Sequence, residues 1–328
     1  MIYDWHARHR ITDKQAIDRV TNGRDEFRRT TADTRVRLLA QAVVTDDKAY
    51  AQSGERNRPA GMKLLLHTQR AYDQLIGQRL SEMERLGLRS PNVSVSRLPV
   101  GSWFLRIDFT LAKPYVSKDD ESFYVIDNPL KKEKVFRVPY VAAPTWKGNL
   151  REALRLRHDW NDADDTMRQL LGNPREVEEN FRAGRLIFFP TFFDRIDLEV
   201  LNPHKRDTGA GTVPIYLEVA PIGSSGAFHL LYIPFDQLEQ NGEERCKSPS
   251  QLFAQVAQGI EFMLIELGFA AKKSSGFGVA DPNSVSGRFQ VNDSAWKKQG
   301  GEWKGFKGLT DLAQAWAKTG RAKEEAKQ

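Results

Sequence analysis

Residues 144–155 read Pro-Thr-Trp-Lys-Gly-Asn-Leu-Arg-Glu-Ala-Leu-Arg, a stretch that predicts a helix with a lysine in its first turn. Leu150, Ala153 and Leu154 share one face of that helix, which predicts packing against a core. A helix N-terminus exposes unpaired N–H groups and the positive end of the helix dipole. Lys147 in this turn therefore predicts a phosphate contact, and ordinary helix capping is the alternative.

A second candidate phosphate site is the loop at residues 272–278, which reads Lys-Lys-Ser-Ser-Gly-Phe-Gly. A loop rich in glycine and serine can press its backbone N–H groups against phosphates, and the two lysines add positive charge. A tight turn without a ligand is the alternative. Because the two candidate sites lie far apart in the sequence, they predict a long polyanion more than a small nucleotide.

A third motif, Asp127-Asn128-Pro129, precedes the Lys147 turn. The order of Asp-Asn-Pro, Pro-x-x-Lys-Gly-x-Leu-Arg and Ser-Gly-Phe-Gly resembles the RAMP superfamily of CRISPR-associated proteins, and within it the backbone subunits of type III effector complexes. The resemblance covers roughly residues 102–281. The common form of the middle motif in the family is Pro-Gly-Ser-Ser-Leu-Lys-Gly-x-Leu-Arg. Residues 143–146 depart from it, whereas Lys147, Gly148, Leu150 and Arg151 match.

The hydropathy pattern divides the chain into three predicted regions. Residues 1–100 read as a basic helical region, 101–281 as a core, and 282–328 as a Trp- and Lys-rich extension with a short helix. The core order is strand, loop, helix, strands, helix, then a glycine loop and a final strand. It predicts an α+β fold of βαββαβ type, with two helices on one face of an antiparallel sheet. The resemblance implies the same ferredoxin-like, RRM-like core.

The individual elements of the core follow from local patterns. Predicted strands lie at 102–111, 186–189, 215–220 and 228–233, and short predicted helices lie at 163–171 and 175–183. Ser248, Pro249 and Gln251 provide the start signals of a further helix, and Gly268 marks its end. The apolar stripe of that helix predicts core packing. It consists of Phe253, Val256, Ala257, Ile260, Met263, Leu264 and Leu267.

The resemblance implies that the helix turn and the glycine loop face a guide RNA. The residues that this implies are Lys147, Gly148 and Arg151 together with Lys272, Lys273, Ser274, Ser275, Gly276 and Gly278. Lysines and backbone N–H groups bind phosphates without reading bases, which suits guides of variable sequence. Trp146 or Phe277 could stack on a base.

Asp127 is the candidate catalytic residue, because the resemblance implies that the aspartate of this motif is required to cleave target RNA. A carboxylate beside the scissile phosphate could bind a divalent cation, Mg²⁺ or Mn²⁺, or orient the attacking 2′-hydroxyl. If the chain cleaves RNA, it is then a metal-dependent endoribonuclease acting within the assembled complex. The alternative is an Asx-turn, in which the Asp127 side chain binds nearby backbone before Pro129.

Other interpretations stay open. Leu201-Asn202-Pro203-His204 resembles the subunit that closes one end of the type III-B backbone, so backbone and capping positions are both possible. His204 could act in acid–base chemistry or simply hydrogen-bond in a loop. A capping subunit would bind guide RNA without cutting. A stand-alone repeat-RNA processing endoribonuclease and a generic single-stranded RNA-binding protein are further alternatives. The absence of histidine from residues 102–143 disfavours the processing enzyme.

Composition limits the class of protein. The 328 residues are 40% hydrophobic and 28% charged, an ordinary soluble profile. The net charge of +6 comes entirely from residues 1–100, which predicts a nucleic-acid or other acidic partner for that region or a merely solvated helical face. A single cysteine, Cys246, and an opening without an apolar leader predict a cytoplasmic protein without membrane association. Since phosphate-loop and dinucleotide motifs are absent, no small-molecule cofactor is expected; the expected partners are guide RNA, target RNA and other effector subunits.

Overall fold

The structure is a computed structural model, and it describes residues 5–119, 121, 123–173, 183–202, 214–235, 249–292 and 303–314. The predicted helix at 175–183 falls almost wholly outside these residues, as do Ser248, Cys246 and His204. The helices are α1 (Trp5–Arg8), α2 (Lys14–Asn22), α3 (Ala32–Leu39), α4 (Lys48–Ser53), α5 (Ala71–Arg85), α6 (Ala143–His158), α7 (Asp165–Leu171) and α8 (Pro249–Glu261). The strands are β1 (Gly54–Glu55), β2 (Arg58–Pro59), β3 (Trp103–Thr110), β4 (Tyr140–Val141), β5 (Leu186–Phe188), β6 (Thr191–Phe192), β7 (Asp197–Leu201), β8 (Ile215–Val219), β9 (Ser225–Tyr232), β10 (Ser286–Val291) and β11 (Lys304–Lys307).

The chain forms two compact units. Unit 1 comprises Met1–Arg89, Pro114–Tyr140 and Phe193–Ser224, and unit 2 comprises Ser90–Lys113, Val141–Phe192 and Ser225–Gln328. These boundaries differ from the predicted division at residues 100 and 281. The N-terminal helices share a unit with two segments taken from the middle of the chain, and those segments carry no sequence signal of their membership.

Unit 2 contains a five-stranded antiparallel sheet in the order β11-β10-β3-β9-β5. Without the edge strand β11, the order is β10-β3-β9-β5. In chain order these are the fourth, first, third and second strands of the core. This is the ferredoxin-like arrangement, so the α+β fold class is confirmed. Strand β10 lies beyond residue 281, in the stretch predicted to be the Trp- and Lys-rich extension and not part of the core. Gly287 belongs at this position because a Cβ there would lie 2.3 Å from the Arg106 carbonyl oxygen.

Helices α6 and α8 pack on one face of this sheet. Strand β3 alternates as predicted, and its buried residues include Trp103, whose ring stacks on Tyr232 and meets Phe253 of α8 edge-on. The two helices approach each other closely at Gly259, where an added Cβ would lie 2.5 Å from a methyl carbon of Leu154. The core of unit 2 therefore lies between the sheet and the two helices.

Unit 1 is mainly helical in the part of residues 1–89 that the structure describes, as predicted. Tyr72, Ile76, Leu80 and Met83 of α5 are buried, and the Tyr72 hydroxyl donates to Asp33 Oδ1 at 2.8 Å. Hairpin β7–β8 completes the unit. The main chain of the Asp-Asn-Pro motif pairs with β8, because the Glu218 N–H donates to the Asn128 carbonyl at 3.0 Å. Among the described residues, no helix has the length and apolarity needed to cross a membrane.

Candidate nucleic-acid interface

The first turn of α6 presents Lys147 to a cavity of about 740 Å³ in unit 2. The helix begins with Pro144 in its first turn, and the preceding residue, Ala142, has no side chain that could cap the N–H groups. The capping alternative is therefore not what the structure shows at this terminus. The cavity lining is formed by Ala143, Pro144, Lys147, Gly148, Arg151, Asp162, Asn173, Leu186, Ile187 and Phe188.

Lys147 is half-buried in this cavity. Burial and the neighbouring charge of Arg151 lower the pKa of the Lys147 ammonium below its usual value. None of the described residues forms an ion pair or a side-chain hydrogen bond with it. A cation that has lost part of its water and faces a second cation is stabilised by an incoming anion. The electrostatics of the cavity thus favour a phosphate.

Arg151 lies one turn further along α6 and is held in a fixed position. Its Nη1 donates to Asp162 Oδ1 at 2.9 Å, and its Nη2 lies 3.3 Å from the carbonyl oxygens of Leu171 and Gly172. The guanidinium is thereby tied to both ends of the segment that carries α7. Asp162 offsets part of the Arg151 charge, whereas Lys147 has no such partner among the residues that the structure describes, so Lys147 is the better placed of the two cations to bind a phosphate.

The glycine loop lies against the same helix, on its other flank. Lys273 Nζ contacts the Glu152 carboxylate and lies 3.2 Å from Asn149 Oδ1, while Asn149 Nδ2 donates to the Phe269 carbonyl at 3.2 Å. The structure therefore brings the two predicted phosphate-binding stretches together on α6. Lys272, Ser274, Ser275 and Gly276 are exposed, and Lys273 is occupied by its carboxylate partner.

The prediction that Trp146 stacks on a base is wrong, because its ring is fully buried. It packs against Phe228 and Phe269 with ring centroids 4.9 and 4.8 Å away, and its Nε1–H donates to Thr191 Oγ1 at 3.0 Å. The sequence held the signal that should have excluded it. The core face of the helix has the spacing i, i+4, i+7, i+8, which is the spacing of Trp146, Leu150, Ala153 and Leu154.

Phe277 and Gly278 are likewise buried, so their predicted contacts with RNA are wrong. The Gly278 carbonyl accepts the Phe269 N–H at 2.9 Å. The φ angle of Gly278 is 70°, a value that residues other than glycine rarely adopt. A Cβ at this position would lie 2.6 Å from the Ala270 nitrogen. The end of the loop is therefore a tight turn packed on the core, and its exposed part ends at Gly276.

Asp127 lies in unit 1 with 63% of its side chain exposed. Lys48 Nζ lies 2.6 Å from its Oδ1, and Gln52 Nε2 donates to its Oδ2 at 3.2 Å. The same Gln52 amide donates to the Val125 carbonyl at 2.8 Å. The carboxylate thus binds two side chains one turn apart on α4, which differs from the Asx-turn alternative. Sequence reasoning missed Lys48 and Gln52 because nothing links α4 to a motif more than seventy residues downstream.

The side chains around Asp127 do not form a suitable ligand set for a resident Mg²⁺ or Mn²⁺ ion. Both carboxylate oxygens already bind neighbouring side chains, and one of those neighbours is a cation. Hard divalent cations prefer several oxygen ligands. Among the described residues, no group of three or more His, Cys, Asp or Glu side chains is placed to hold a metal ion.

The family model of the RAMP superfamily matches residues 60–281, about two thirds of the chain. The chain belongs to the RAMP superfamily. The matched residues of this RAMP protein contain all three motifs and also α5. No curated protein matches it.

Three solved structures are similar to this RAMP protein. A chain from the cryo-EM structure of the type III-B Cmr-beta bound to cognate target RNA is 11% identical, with a TM-score of 0.46 over 90% of this chain and 99% of that chain. A chain from the crystal structure of the Csm3–Csm4 subcomplex of the type III-A CRISPR-Cas interference complex is 11% identical, with a TM-score of 0.39 over 66% and 95%. A chain from a CRISPR RNA-guided surveillance complex is 14% identical, with a TM-score of 0.39 over 56% and 68%.

Proposed function

We propose that this RAMP protein is a guide-RNA-binding subunit of a type III CRISPR effector ribonucleoprotein. The observation that carries the proposal is the half-buried Lys147, which faces a cavity at an uncapped helix N-terminus beside the fixed cation Arg151. The exposed part of the glycine loop on the other flank of α6 offers the Lys272 ammonium and the hydroxyls of Ser274 and Ser275, because the N–H groups of Ser275 and Gly276 already bond within the loop. Contacts of this kind bind the sugar–phosphate chain whatever the base sequence, as a subunit must when guides vary.

RNA binding by the full-length chain tests this function. Replacement of Lys147 by Ala should weaken binding to guide RNAs of unrelated sequence by the same factor. It should also lower the slope of log affinity against log salt by about 0.7, the loss of one phosphate contact on a single strand. The matched control is Arg157→Ala, an exposed cation of the same helix that does not line the cavity. Equal effects of the two substitutions would contradict a phosphate site at Lys147.

We further propose that the assembled complex cleaves guide-paired target RNA through Asp127. Support comes from a carboxylate that is exposed yet held in one orientation by Lys48 and Gln52. Asp127→Ala, assembled with sister subunits and guide, should retain guide RNA and lose target cleavage. Cleavage at the parental rate would instead favour the capping alternative, which binds guide without cutting.

A further inference from the structure

We infer that Lys48 is a second catalytic residue, whose ammonium takes the place of a metal cation in Asp127-dependent RNA cleavage. The inference rests on the proposed function, because it concerns the same site and the same substrate, a single-stranded RNA phosphodiester. It goes beyond that function in assigning a role to Lys48 and in making the reaction independent of divalent cations.

The first support is contact geometry. Lys48 Nζ lies 2.6 Å from Asp127 Oδ1, and the two side chains keep 35% and 63% of their surface exposed. A phosphodiester arriving from solvent can therefore meet the carboxylate and the ammonium together. A cation at this distance from the base lies where a phosphate oxygen gains negative charge as the base removes a proton.

The second support is that the pair is held from both sides. Gln52 is buried and bonds the Asp127 carboxylate and the Val125 carbonyl at once. Downstream of the carboxylate, the Leu130 N–H donates to Glu218 Oε2 at 3.0 Å. Gln52 is thus a positioning residue for Asp127. Such a fixed arrangement resembles a prepared catalytic site more than a mobile surface ion pair, which contributes little to stability.

The third support is that Lys48 already occupies the position beside Asp127 that a metal ion would take. A divalent cation on Asp127 Oδ1 would have to displace the Lys48 ammonium that already binds there. No described cluster of carboxylate or imidazole ligands would compensate for that displacement. Charge balance around the carboxylate is already achieved by a side chain of the protein itself.

The reaction follows from these positions. Asp127 accepts the proton of the RNA 2′-hydroxyl, and O2′ attacks the adjacent phosphorus. The P–O2′ bond forms while the P–O5′ bond breaks. O5′ takes its proton from water, and the hydroxide that is left takes the proton held by Asp127. Lys48 stabilises the negative charge that develops on the non-bridging phosphate oxygens. The products are a 2′,3′-cyclic phosphate and a 5′-hydroxyl, and no oxidant, reductant or metal is consumed.

Single-turnover cleavage of guide-paired target RNA by the assembled complex tests the inference. Lys48→Met should slow cleavage by about 10²–10³-fold, the usual effect of losing one such stabilising donor. Lys48→Arg keeps the positive charge and should stay within about tenfold of the parental rate. Lys14→Met is the matched control, since it removes the cation of another exposed pair in unit 1, with Glu55, and should not change the rate. Excess EDTA should leave parental cleavage unchanged, and the products should carry the two end groups named above.

The outcomes separate the inference from the function on which it rests. Loss of cleavage in EDTA with recovery in Mg²⁺ overturns the role of Lys48, as does a parental rate for Lys48→Met. If Asp127→Ala cuts normally, the catalytic part of the proposed function fails and the inference fails with it. Should Lys48→Met fail to assemble, the EDTA result and the product ends of the parental complex still decide.

Discussion

Lys132 and Glu218 form a buried ion pair, in which Lys132 Nζ lies 2.6 Å from Glu218 Oε2 and neither side chain is more than 2% exposed. The Tyr124 hydroxyl donates to the other carboxylate oxygen, and the Lys132 ammonium lies 4.7 Å from the centre of the Tyr124 ring. Glu218 also bonds the main chain of Leu130 and Asn128. This pair therefore joins strand β8 to the motif that carries the candidate catalytic carboxylate.

Breaking this pair should strongly destabilise the protein. Glu218→Gln leaves the Lys132 ammonium buried without its counter-charge, which should lower the free energy of unfolding by about 3–5 kcal/mol. Urea unfolding followed by circular dichroism measures the change. Lys14→Met, which removes one cation from the exposed pair with Glu55, should leave the unfolding midpoint unchanged. An unfolding midpoint of Glu218→Gln equal to that of the parent would contradict the predicted cost of leaving the Lys132 ammonium without its counter-charge.

Trp146→Phe separates core packing from RNA binding. The substitution removes the hydrogen bond to Thr191 and part of a buried ring, so it should lower stability by about 1–3 kcal/mol. The affinity of the folded variant for guide RNA should equal that of the parent, whereas Lys147→Ala should lower it. Filter binding at matched concentrations of folded protein measures both. A weakened affinity for Trp146→Phe would restore the base-stacking role rejected above.

The two glycines of the loop should respond differently to alanine. Both have positive φ, 78° for Gly276 and 70° for Gly278. A Cβ on Gly276 meets no atom within 4 Å, so Gly276→Ala should cost only the left-handed strain of about 1–2 kcal/mol. A Cβ on Gly278 would lie 2.5 Å from the Ala270 Cβ, so Gly278→Ala should cost more. Thermal unfolding of the two variants tests the order, and equal shifts would contradict it.

His229 should make unit 2 less stable in mild acid. Burial, with a smaller effect of the nearby Arg106 charge, lowers its pKa from 6.5 to about 4. The unfolded chain therefore binds a proton between these values while the folded chain does not. Stability is complete above about pH 6.5 and falls as the pH drops towards about 4, by about 3 kcal/mol in total.

Unfolding curves at several pH values should show this dependence on His229. In His229→Phe, where the replacement ring can stack on Phe104 as the imidazole does, the loss of stability between about pH 6.5 and about 4 should shrink. An unchanged acid loss in His229→Phe would show that another group is responsible.

The sequence was sufficient for the fold class, and the two stretches that it predicts to bind phosphate lie against the same helix in the structure. In β3 and α8 the buried side chains recur at the period of the strand and of the helix. The apolar pattern of the sequence therefore predicts both elements directly. The Lys147 turn could be recognised because helix termini have a fixed chemistry. Trp146 was mispredicted because an aromatic side chain in a binding motif can serve either base stacking or core packing, and the helix face that it occupies decides which.

Long-range pairing could not be predicted. Lys48 and Gln52 meet Asp127 only in the folded chain, and their i, i+4 spacing on α4 has no ligand signature of its own. Strand β10 was missed for a related reason. Its first residues, Ser286 and Gly287, have weak strand propensity, and they join the strand because β3 offers a free edge for hydrogen bonding. Both features depend on partners roughly eighty or more residues away.

The position of β3 between β9 and β10 has a consequence for synthesis of the protein on the ribosome. Both neighbours of β3 are made more than a hundred residues after it, so both edges of the central strand stay unpaired until β9 emerges. Exposed edges of this kind pair with other chains. The nascent polypeptide is therefore most prone to aggregation before β9 has emerged, and release before β10 is complete would leave one edge of β3 open.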